Sequence, residues 1–593
     1  MNERARTAES VDKEVDLDEL VAASDTGARS PTGSVATLLF AVALAWSLFQ
    51  LWIASPLPFM LGFGVFNDTE ARSIHLAFAI FLAFTAYPAF SKSPRHYIPV
   101  QDWIFALLGA FAAAYLYLFY ESLSSRPGAP IAQDYVVAVI GMILLLEATR
   151  RSLGPPLAII AIVFLTYTFL GQHMPSIIAH KGNTLGEVVN HHWVTTEGVF
   201  GIALGVSTSF VFLFVLFGSL LDKGGAGNYF IQVAFSLMGH MRGGPAKAAV
   251  VSSAMTGLIS GSSIANVVTT GTFTIPLMKK VGFSSEKAGA VEVASSVNGQ
   301  IMPPVMGAAA FLMVEYVGIP YFDVVKHAFL PALISYIALV YIVHLEALKA
   351  DMKGLPRAYE PGPLLQRLIM FLFGVVVLCA ISFAVYYGIG WIRPVFGPAA
   401  SWIIAVGLVV VYVGLIAFGS RYPELKMDDP RAPVKALPLP GPTIKAGLHF
   451  ILPVVVLVWA LMVERLSPGL SAFWGAVFMI FILVTQRPLF AFFRNVGDVG
   501  AELRAGFVDL LDGLVAGARN MIGIGIATAT AGIIVGAVSQ TGVGSALAEV
   551  VEVLSGGNIL AILFLTAFLS LILGMGLPTT ANYIVVSALL APV

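Results

Sequence analysis

Apolar residues run in blocks of about twenty, the length a helix needs to cross roughly 30 Å of hydrocarbon, and polar residues gather between the blocks. Five such blocks open the chain, near 35–54, 75–90, 103–120, 131–148 and 152–171. The stretch 184–197 (TLGEVVNHHWVTTE) is too polar to cross and is predicted to lie at the membrane interface as an amphipathic segment. A span at 198–221 and a short arm at 228–241 follow. Residues 247–278 are apolar but broken by Ser260, Gly261, Ser262 and Ser263, too short for two crossings and too interrupted for one, which predicts a re-entrant hairpin. Within 287–318 the run Asn298-Gly299-Gln300-Ile301-Met302-Pro303-Pro304 predicts a discontinuous helix, because proline removes a backbone donor and restricts the residue before it. Further spans are expected near 322–345, 366–388, 396–418, 446–463 and 470–486. A loop with six prolines between Pro423 and Pro442 reads as a linker.

The same grammar returns near the C-terminus. Residues 498–514 form a second amphipathic segment, 518–539 a span, 545–554 an arm, and 557–592 an apolar stretch broken at Gly574-Met575-Gly576-Leu577-Pro578-Thr579-Thr580. Ser263-Ile264-Ala265-Asn266 precedes Pro276 as Thr579-Thr580-Ala581-Asn582 precedes Pro592, so Asn and Pro are ten residues apart in both copies. Six bases (Lys223, Arg242, Lys247, Lys279, Lys280, Lys287) flank the first copy, and none follows Thr541, which is the asymmetry of an inverted repeat. Because the chain stops at Val593 inside an apolar run, before any counterpart of 287–318, it is expected to be truncated at its C-terminus.

Charge orients the chain. Arg4, Arg6, Lys13, Arg29, Lys92, Arg95, Arg150 and Arg151 fall in one set of alternating loops and only Arg72 and Arg126 in the other, which places the N-terminus in the cytoplasm. Residues 1–34 carry eight acids and four bases without an apolar core, so they are neither a signal nor a transit peptide and read as a disordered tail. With 58% apolar residues before glycine is counted and 11% charged, a soluble fold is excluded. A net charge of -1 leaves no basic surface for nucleic acid, and the one cysteine, Cys379, rules out an intrachain disulfide or a cysteine metal cluster. No Gly-Lys-Ser/Thr phosphate loop supports ATP drive by this chain. A membrane serine hydrolase has neither a Gly-x-Ser-x-Gly elbow nor a carboxylate at a telling spacing from His327 or His344, so no enzyme is expected.

Non-helical backbone at membrane depth is tolerated only where protein buries it or water reaches it, and paired broken segments in inverted halves point to a transporter's midplane site. Such breaks offer carbonyl and hydroxyl oxygens to a small cation, and half-helix N-termini to an anion. The strings GLISGSSIANVVTTGTFTIPLMKKVGF (257–283), VNGQIMPPVMGAAAF (297–311) and GMGLPTTANYIVVSALLAP (574–592) resemble the hairpins and unwound helix of the large membrane subunit of tripartite ATP-independent periplasmic (TRAP) transporters, in the fused form associated with TAXI-type binding proteins. The resemblance covers about residues 35–593. It implies an all-α, polytopic, bacterial inner-membrane protein of elevator type, driven by sodium rather than by an ATPase subunit, importing an organic anion delivered by a TAXI-like periplasmic solute-binding protein.

Under that resemblance the domains are a tail (1–34), a four-helix module like the family's small subunit (35–150), a connector (151–183), a first transport repeat (184–348, with hairpin 247–283 and broken helix 287–318), linker and scaffold helices (349–497) and a second repeat (498–593). Sodium is assigned to Ser263, Asn266, Asn298 and Gly299 in the first repeat and to Thr579, Thr580 and Asn582 in the second, since neutral oxygens suit a hard cation. Substrate is assigned to Ser262, Thr269, Thr270, Gly576 and Pro578. No other cofactor is expected. Plainer roles compete: Ser262, Ser263 and Asn266 can pack helices, Thr269 and Thr270 can bond their own backbone, and Pro303 and Pro304 can merely kink. Glu292 and Glu315 read as solvated helix ends, His191 and His192 as interfacial residues, and Trp46 and Trp52 as interface anchors. An ion channel, or a sodium-coupled carrier working without a binding protein, is the rival reading.

Overall fold

The computed structural model describes residues 29–90, 92–356, 363–425, 437–575 and 577–590, and all its regular structure is helical. Eight of the described helices are long and apolar enough to cross a membrane, and a bent pair, Pro440–Ala446 with Leu448–Met462, makes a ninth. The chain is thus an all-α, multi-pass membrane protein.

Four helices open it: α1 (Ser34–Ala54), α2 (Asp68–Ala86), α3 (Val100–Leu118) and α4 (Ala132–Leu153). Asn67 and Glu70 start α2 with a reciprocal capping box, each side chain taking the other's backbone N–H at 2.9 Å. Gly154, at φ 84°, separates α4 from α5 (Pro155–Leu170). Two expectations fail in this region, and a third holds only in part. Arg29, taken as part of a solvated tail, is buried and donates to Asp102 at 2.5 Å and to Phe84 O at 3.0 Å; residues 1–28 lie outside the described part. Trp46 is no interface anchor but fully buried, its indole N–H donating to His75 at 3.3 Å, because the ring's polar handle finds a partner inside the bundle. The segment 184–197 is two-faced, with Leu185, Glu187, Thr196 and Glu197 exposed, but α6 (Leu185–Val189) runs into a π turn over Asn190–Val194, and His192 and Trp193 are fully buried. The Trp193 N–H donates to Ala112 O at 3.1 Å and the His191 ring meets Gly536 O at 3.0 Å, so polar groups that suggested water are bonded to protein.

Helix α7 (Ile202–Lys223) and the arm α8 (Ala226–Met238) lead to a pair of shorter helices, α9 (Gly244–Gly257) and α10 (Ser263–Lys280). At about 1.5 Å per residue they reach only some 21 and 27 Å, short of a full crossing, which is the expected hairpin. The broken helix follows as α11 (Ser285–Asn298) and α12 (Ala308–Val317), and then α13 (Tyr321–Lys349). Scaffold helices α14 (Leu364–Phe396), α15 (Ala400–Gly419), α16 (Ile451–Met462) and α17 (Pro468–Arg494) come next; residues 426–436 of the proline-rich linker lie outside the described part.

The largest departure is α18 (Val499–Thr541), one unbroken helix of 43 residues where an amphipathic segment and a separate span were expected. The change of polarity near residue 515 carries no proline, and a polarity boundary alone does not break a backbone ladder. Its length, about 65 Å, is twice the hydrocarbon thickness, and its glycines let neighbours close in. A Cβ on Gly517 would stand 2.6 Å from Leu216, and one on Gly532 2.4 Å from Gly198 O. The N-terminal helices dock on α18 through Ser47 to Leu514 O and Thr149 to Thr530, both at 2.6 Å. After α18 come α19 (Val543–Ser555), α20 (Ile559–Gly574) and α21 (Thr579–Leu590), an arm and a second broken pair as the repeat predicts.

Apolar packing divides these helices into groups. One core surrounds α18 and contains the N-terminal helices and α7. Another, with Ala249, Val250, Met278, Ala288, Tyr336 and Val343, joins α9, α10, α11 and the later turns of α13, whose first turn (Tyr321, Val324, Val325) belongs to the core around α18.

Candidate functional site

The tip of the first hairpin, residues 258–262, seats against the break between α11 and α12. Gly261 makes this possible, since a Cβ there would stand 1.8 Å from Met306 O. Helix α10 starts at a serine cap, the Ser262 hydroxyl accepting Ala265 N–H at 3.2 Å. Helix α11 ends in a single 3-10 turn over Gly299–Ile301, after which two prolines cannot donate. The carbonyls so released are mostly taken: the Tyr321 hydroxyl contacts Pro304 O and Val305 O at 2.7 and 2.8 Å, and Gly307 N–H donates to Gln300 O at 2.7 Å. The break is therefore a shaped loop held by named partners.

Asn266 stands at the centre, fully buried. Its Nδ2 donates across the hairpin to Ser253 O at 3.1 Å, while Oδ1 has no hydrogen-bond partner. One turn along α9 from Ser253, the buried Thr256 hydroxyl also lacks one. Gly299 closes the space, with a Cβ position 2.9 Å from Asn266 Nδ2 and 3.3 Å from Gly257. Ser263 joins the same place by accepting Gln300 Nε2 at 2.8 Å.

The second hairpin repeats the central feature. Asn582 Nδ2 donates to Ser570 O at 3.2 Å, and its Oδ1 too is buried without a partner among the described residues. A buried amide oxygen left unbonded costs about 1–3 kcal/mol, so two at matching positions call for a ligand or another reason to persist. The hairpins are linked through α12, where the Tyr316 ring lies 6.5 Å from that of Tyr583 on α21.

Of the residues picked from sequence, Ser263, Asn266 and Gly299 are gathered at one place, with the half-buried Asn298 at the end of α11 beside them. In the second copy Asn582 is matched, Thr580 is half-buried, Thr579 is exposed, and Pro578 gives its carbonyl to Asn582 N–H at 2.9 Å. Three residues assigned to substrate have protein contacts of their own. The Ser262 oxygen serves as the cap, Thr269 turns its methyl toward Gly227 of α8, and Thr270 is fully buried with its hydroxyl engaged by Asn266 O and Glu292. Gly576 lies outside the described residues.

Glu292 corrects a further expectation. It is not a solvated end but fully buried on α11, contacted by Thr270, Thr274 and Ser296, whereas Glu315 is exposed. The usable sequence signal was a matched spacing: Thr270 and Thr274 lie four apart on one helix, as Glu292 and Ser296 do on the next. Gln300 and Thr256 were missed as well, and single polar residues in apolar runs give no such signal. Among the described residues no three His, Cys, Asp or Glu side chains converge to hold a metal. A cavity of about 560 Å³ lined by Lys223, Asn228, His449, Gln486 and Arg487 shares no residue with either hairpin or the broken helix.

Packing at Gly299 makes a first expected outcome. Gly299→Ala pushes a methyl against the Asn266 amide and should cost about 1 kcal/mol, at the low end for overpacking, read as a small drop in melting temperature of the purified protein. An unchanged melting curve would show that the two helices are not in contact at this point.

A profile of the family described as "Tripartite ATP-independent periplasmic transporter, DctM component" matches residues 140–432 and 404–593. Among curated proteins, the chain is similar to the C4-dicarboxylate TRAP transporter large permease protein DctM of Vibrio cholerae, 30% identical over 168 residues, 28% of this chain and 32% of that one. It is 35% identical over 91 residues to the protein of the same name from Rhodobacter capsulatus, 15% of this chain and 21% of that one. The ectoine TRAP transporter large permease protein TeaC of Halomonas elongata is 32% identical over 95 residues, 16% of this chain and 22% of that one. In each case the match spans less than a third of the relative's length.

Proposed function

We propose a function from a plain premise: the chain belongs to the tripartite ATP-independent periplasmic transporter family, as a DctM component. The family is one of transport components and not of enzymes. In this reading the chain is the inner-membrane permease of an importer that accepts its solute from a soluble periplasmic binding protein, of the TAXI-like kind, and couples uptake to sodium. Its first four helices take the place of the small subunit.

One observation carries the ion-coupled reading: the paired asparagines, Asn266 and Asn582, each tie the two arms of a hairpin through Nδ2 and leave a buried Oδ1 without a partner. Amide, hydroxyl and carbonyl oxygens without a fixed negative charge suit a hard monovalent cation. Thr256, Ser263, Asn298 and Gly299 lie on the segments that meet at Asn266, and Thr580 stands near Asn582 in sequence. The elevator reading leans on the second apolar core, in which α9, α10, α11 and the later turns of α13 pack together, joined to the core around α18 through the first turn of α13. The relatives are named for C4-dicarboxylates and for ectoine, two different solutes, so the solute is taken no further than the class of small organic anions.

The test is uptake into proteoliposomes holding the full chain, with the binding protein encoded beside it and that protein's own ligand. Uptake should need both the binding protein and an inward sodium gradient, and should ignore ATP. Uptake that continues without the binding protein would overturn the reading.

Topology makes a separate expectation. Bases on both flanks of the first hairpin place its two ends on the cytoplasmic side, so cysteines at Arg242 and Lys280 should be labelled only from inside. Labelling of either from outside would turn the hairpin into a crossing.

A further inference from the structure

Glu292 has no part in the sodium site as described, yet its surroundings are closed and specific. The residue is fully buried, as are Thr270, Thr274, Ser296 and Ser253 around it. Oε2 receives the Thr274 hydroxyl at 2.5 Å, and Oε1 faces the Thr270 hydroxyl in close contact and Ser296 Oγ at 3.4 Å. Ser296 continues to Ser253 on α9 at 3.2 Å. The carboxyl thus ties together α9, α10 and α11, the three helices of the hairpin bundle.

Counting hydrogens shows what this arrangement requires. The Thr270 oxygen has one hydrogen and two acceptors within reach, Asn266 O at 2.7 Å and Glu292 Oε1. If Thr270 gives its hydrogen to Asn266 O, the contact with Oε1 needs a hydrogen from the carboxyl itself. A protonated Glu292 then donates from Oε1 to Thr270 and accepts from Thr274 at Oε2, and every contact has its own hydrogen. An ionised Glu292 would leave a buried charge facing only hydroxyls, which is costly at membrane depth. A metal ion does not fit between the oxygens either, because carboxyl and threonine oxygens already touch.

The charged and titratable groups on neighbouring elements are engaged elsewhere or stand at helix ends. On α9 Lys247 pairs with His344 of α13 at 3.0 Å. Lys287, in the first turn of α11 after Glu286, pairs with Glu346 of α13 at 2.5 Å. Tyr336 of α13 donates to Ser295 O at 3.0 Å. Lys279 and Lys280 stand in the last turn of α10, beyond Pro276. Among the described residues, the side chains hydrogen-bonded to the carboxyl are Thr270, Thr274 and Ser296.

We infer that Glu292 is a proton-binding site of the hairpin bundle: it holds a proton when α9, α10 and α11 are packed as here. The balance is simple, with one proton and one carboxylate giving one carboxylic acid. Because Thr270 bonds to Asn266 O as well, the proton sits one hydrogen bond from the helical turn that carries Asn266. The transport role of this proton rests on the permease reading above, but its presence can be measured without transport.

The measurement is infrared difference spectroscopy of the full chain in lipid nanodiscs, titrated from mildly acidic to mildly alkaline pH. The wild type should show the carbonyl stretch of a protonated carboxylic acid that is absent from Glu292→Gln. Identical spectra of the two in this region would overturn the proposal. Should Glu292→Gln fail to fold, Thr274→Val serves instead, since it keeps the acid and removes the donor to Oε2; the band should shift in frequency, and an unshifted band counts against the site. Sodium-dependent thermal stabilisation on the same samples separates the two readings. Stabilisation without the Glu292 band removes the proton site and leaves sodium coupling, whereas the band without stabilisation does the reverse.

Discussion

Asp102→Ala should be the most damaging single substitution in the N-terminal bundle, lowering stability by about 3–5 kcal/mol, the usual cost of stripping one partner from a buried ion pair. Asp102 is 3% exposed and holds two arginines, Arg29 Nη2 at 2.5 Å on one oxygen and Arg151 Nη1 at 2.8 Å on the other. Arg151 also lies over the Phe84 ring at 4.9 Å and pairs with Glu147 at 2.7 Å, so it keeps some support when the carboxylate is gone. Among the described residues, Arg29 keeps only the carbonyls of Phe84 and Pro94, at 3.0 and 3.3 Å. The loss is therefore mostly the penalty of an unpaired buried guanidinium. Adding Arg29→Ala to Asp102→Ala should return part of the stability, because the uncompensated charge leaves with it. Thermal melts of the three variants in one detergent would check this, and an Asp102→Ala protein melting with the wild type would sink the argument.

Asn266→Ala should raise the sodium concentration needed for half-maximal stabilisation by a factor of roughly 5–150, which corresponds to about 1–3 kcal/mol for one lost buried polar partner. The substitution removes the unpartnered Oδ1 and also the Nδ2 bond to Ser253 O, so some loss of stability without sodium is expected as well. Asn582→Ala is the internal comparison, with the same bond to Ser570 O in the other hairpin. If each asparagine serves its own ion, each variant should weaken one component of the sodium response and leave the other. A variant that melts lower but keeps its sodium response unchanged would mark Asn266 as a packing residue. The readout is the melting temperature as a function of sodium, with potassium as the matched salt, and it needs no knowledge of the solute.

That this chain crosses a membrane many times, and where it does not cross, is written in the order of its residues. Blocks of twenty apolar residues have one stable solution in lipid, since only a helix satisfies its own backbone there. Glycine, serine and proline inside such blocks mark where that solution fails, which is why the helix breaks at 258–262, after Asn298 and between Gly574 and Thr579 were legible. The repeated Asn was legible too, because identical spacing in two places is visible without coordinates. Which polar residues face protein and which face water emerged only from the packed helices, because hydropathy records what a side chain prefers and not what it meets. Glu292, His192 and Trp46 were read as residues at boundaries and are fully buried. Glu292 and Trp46 are each held by a side chain of another helix, a partner that no local pattern announces. Thr270, chosen for substrate, spends its hydroxyl on Glu292 and Asn266 O. The continuity of α18 was hidden for a related reason: a change of polarity along a helix mimics an end, and only the neighbours packed against its glycines reveal that the ladder carries on.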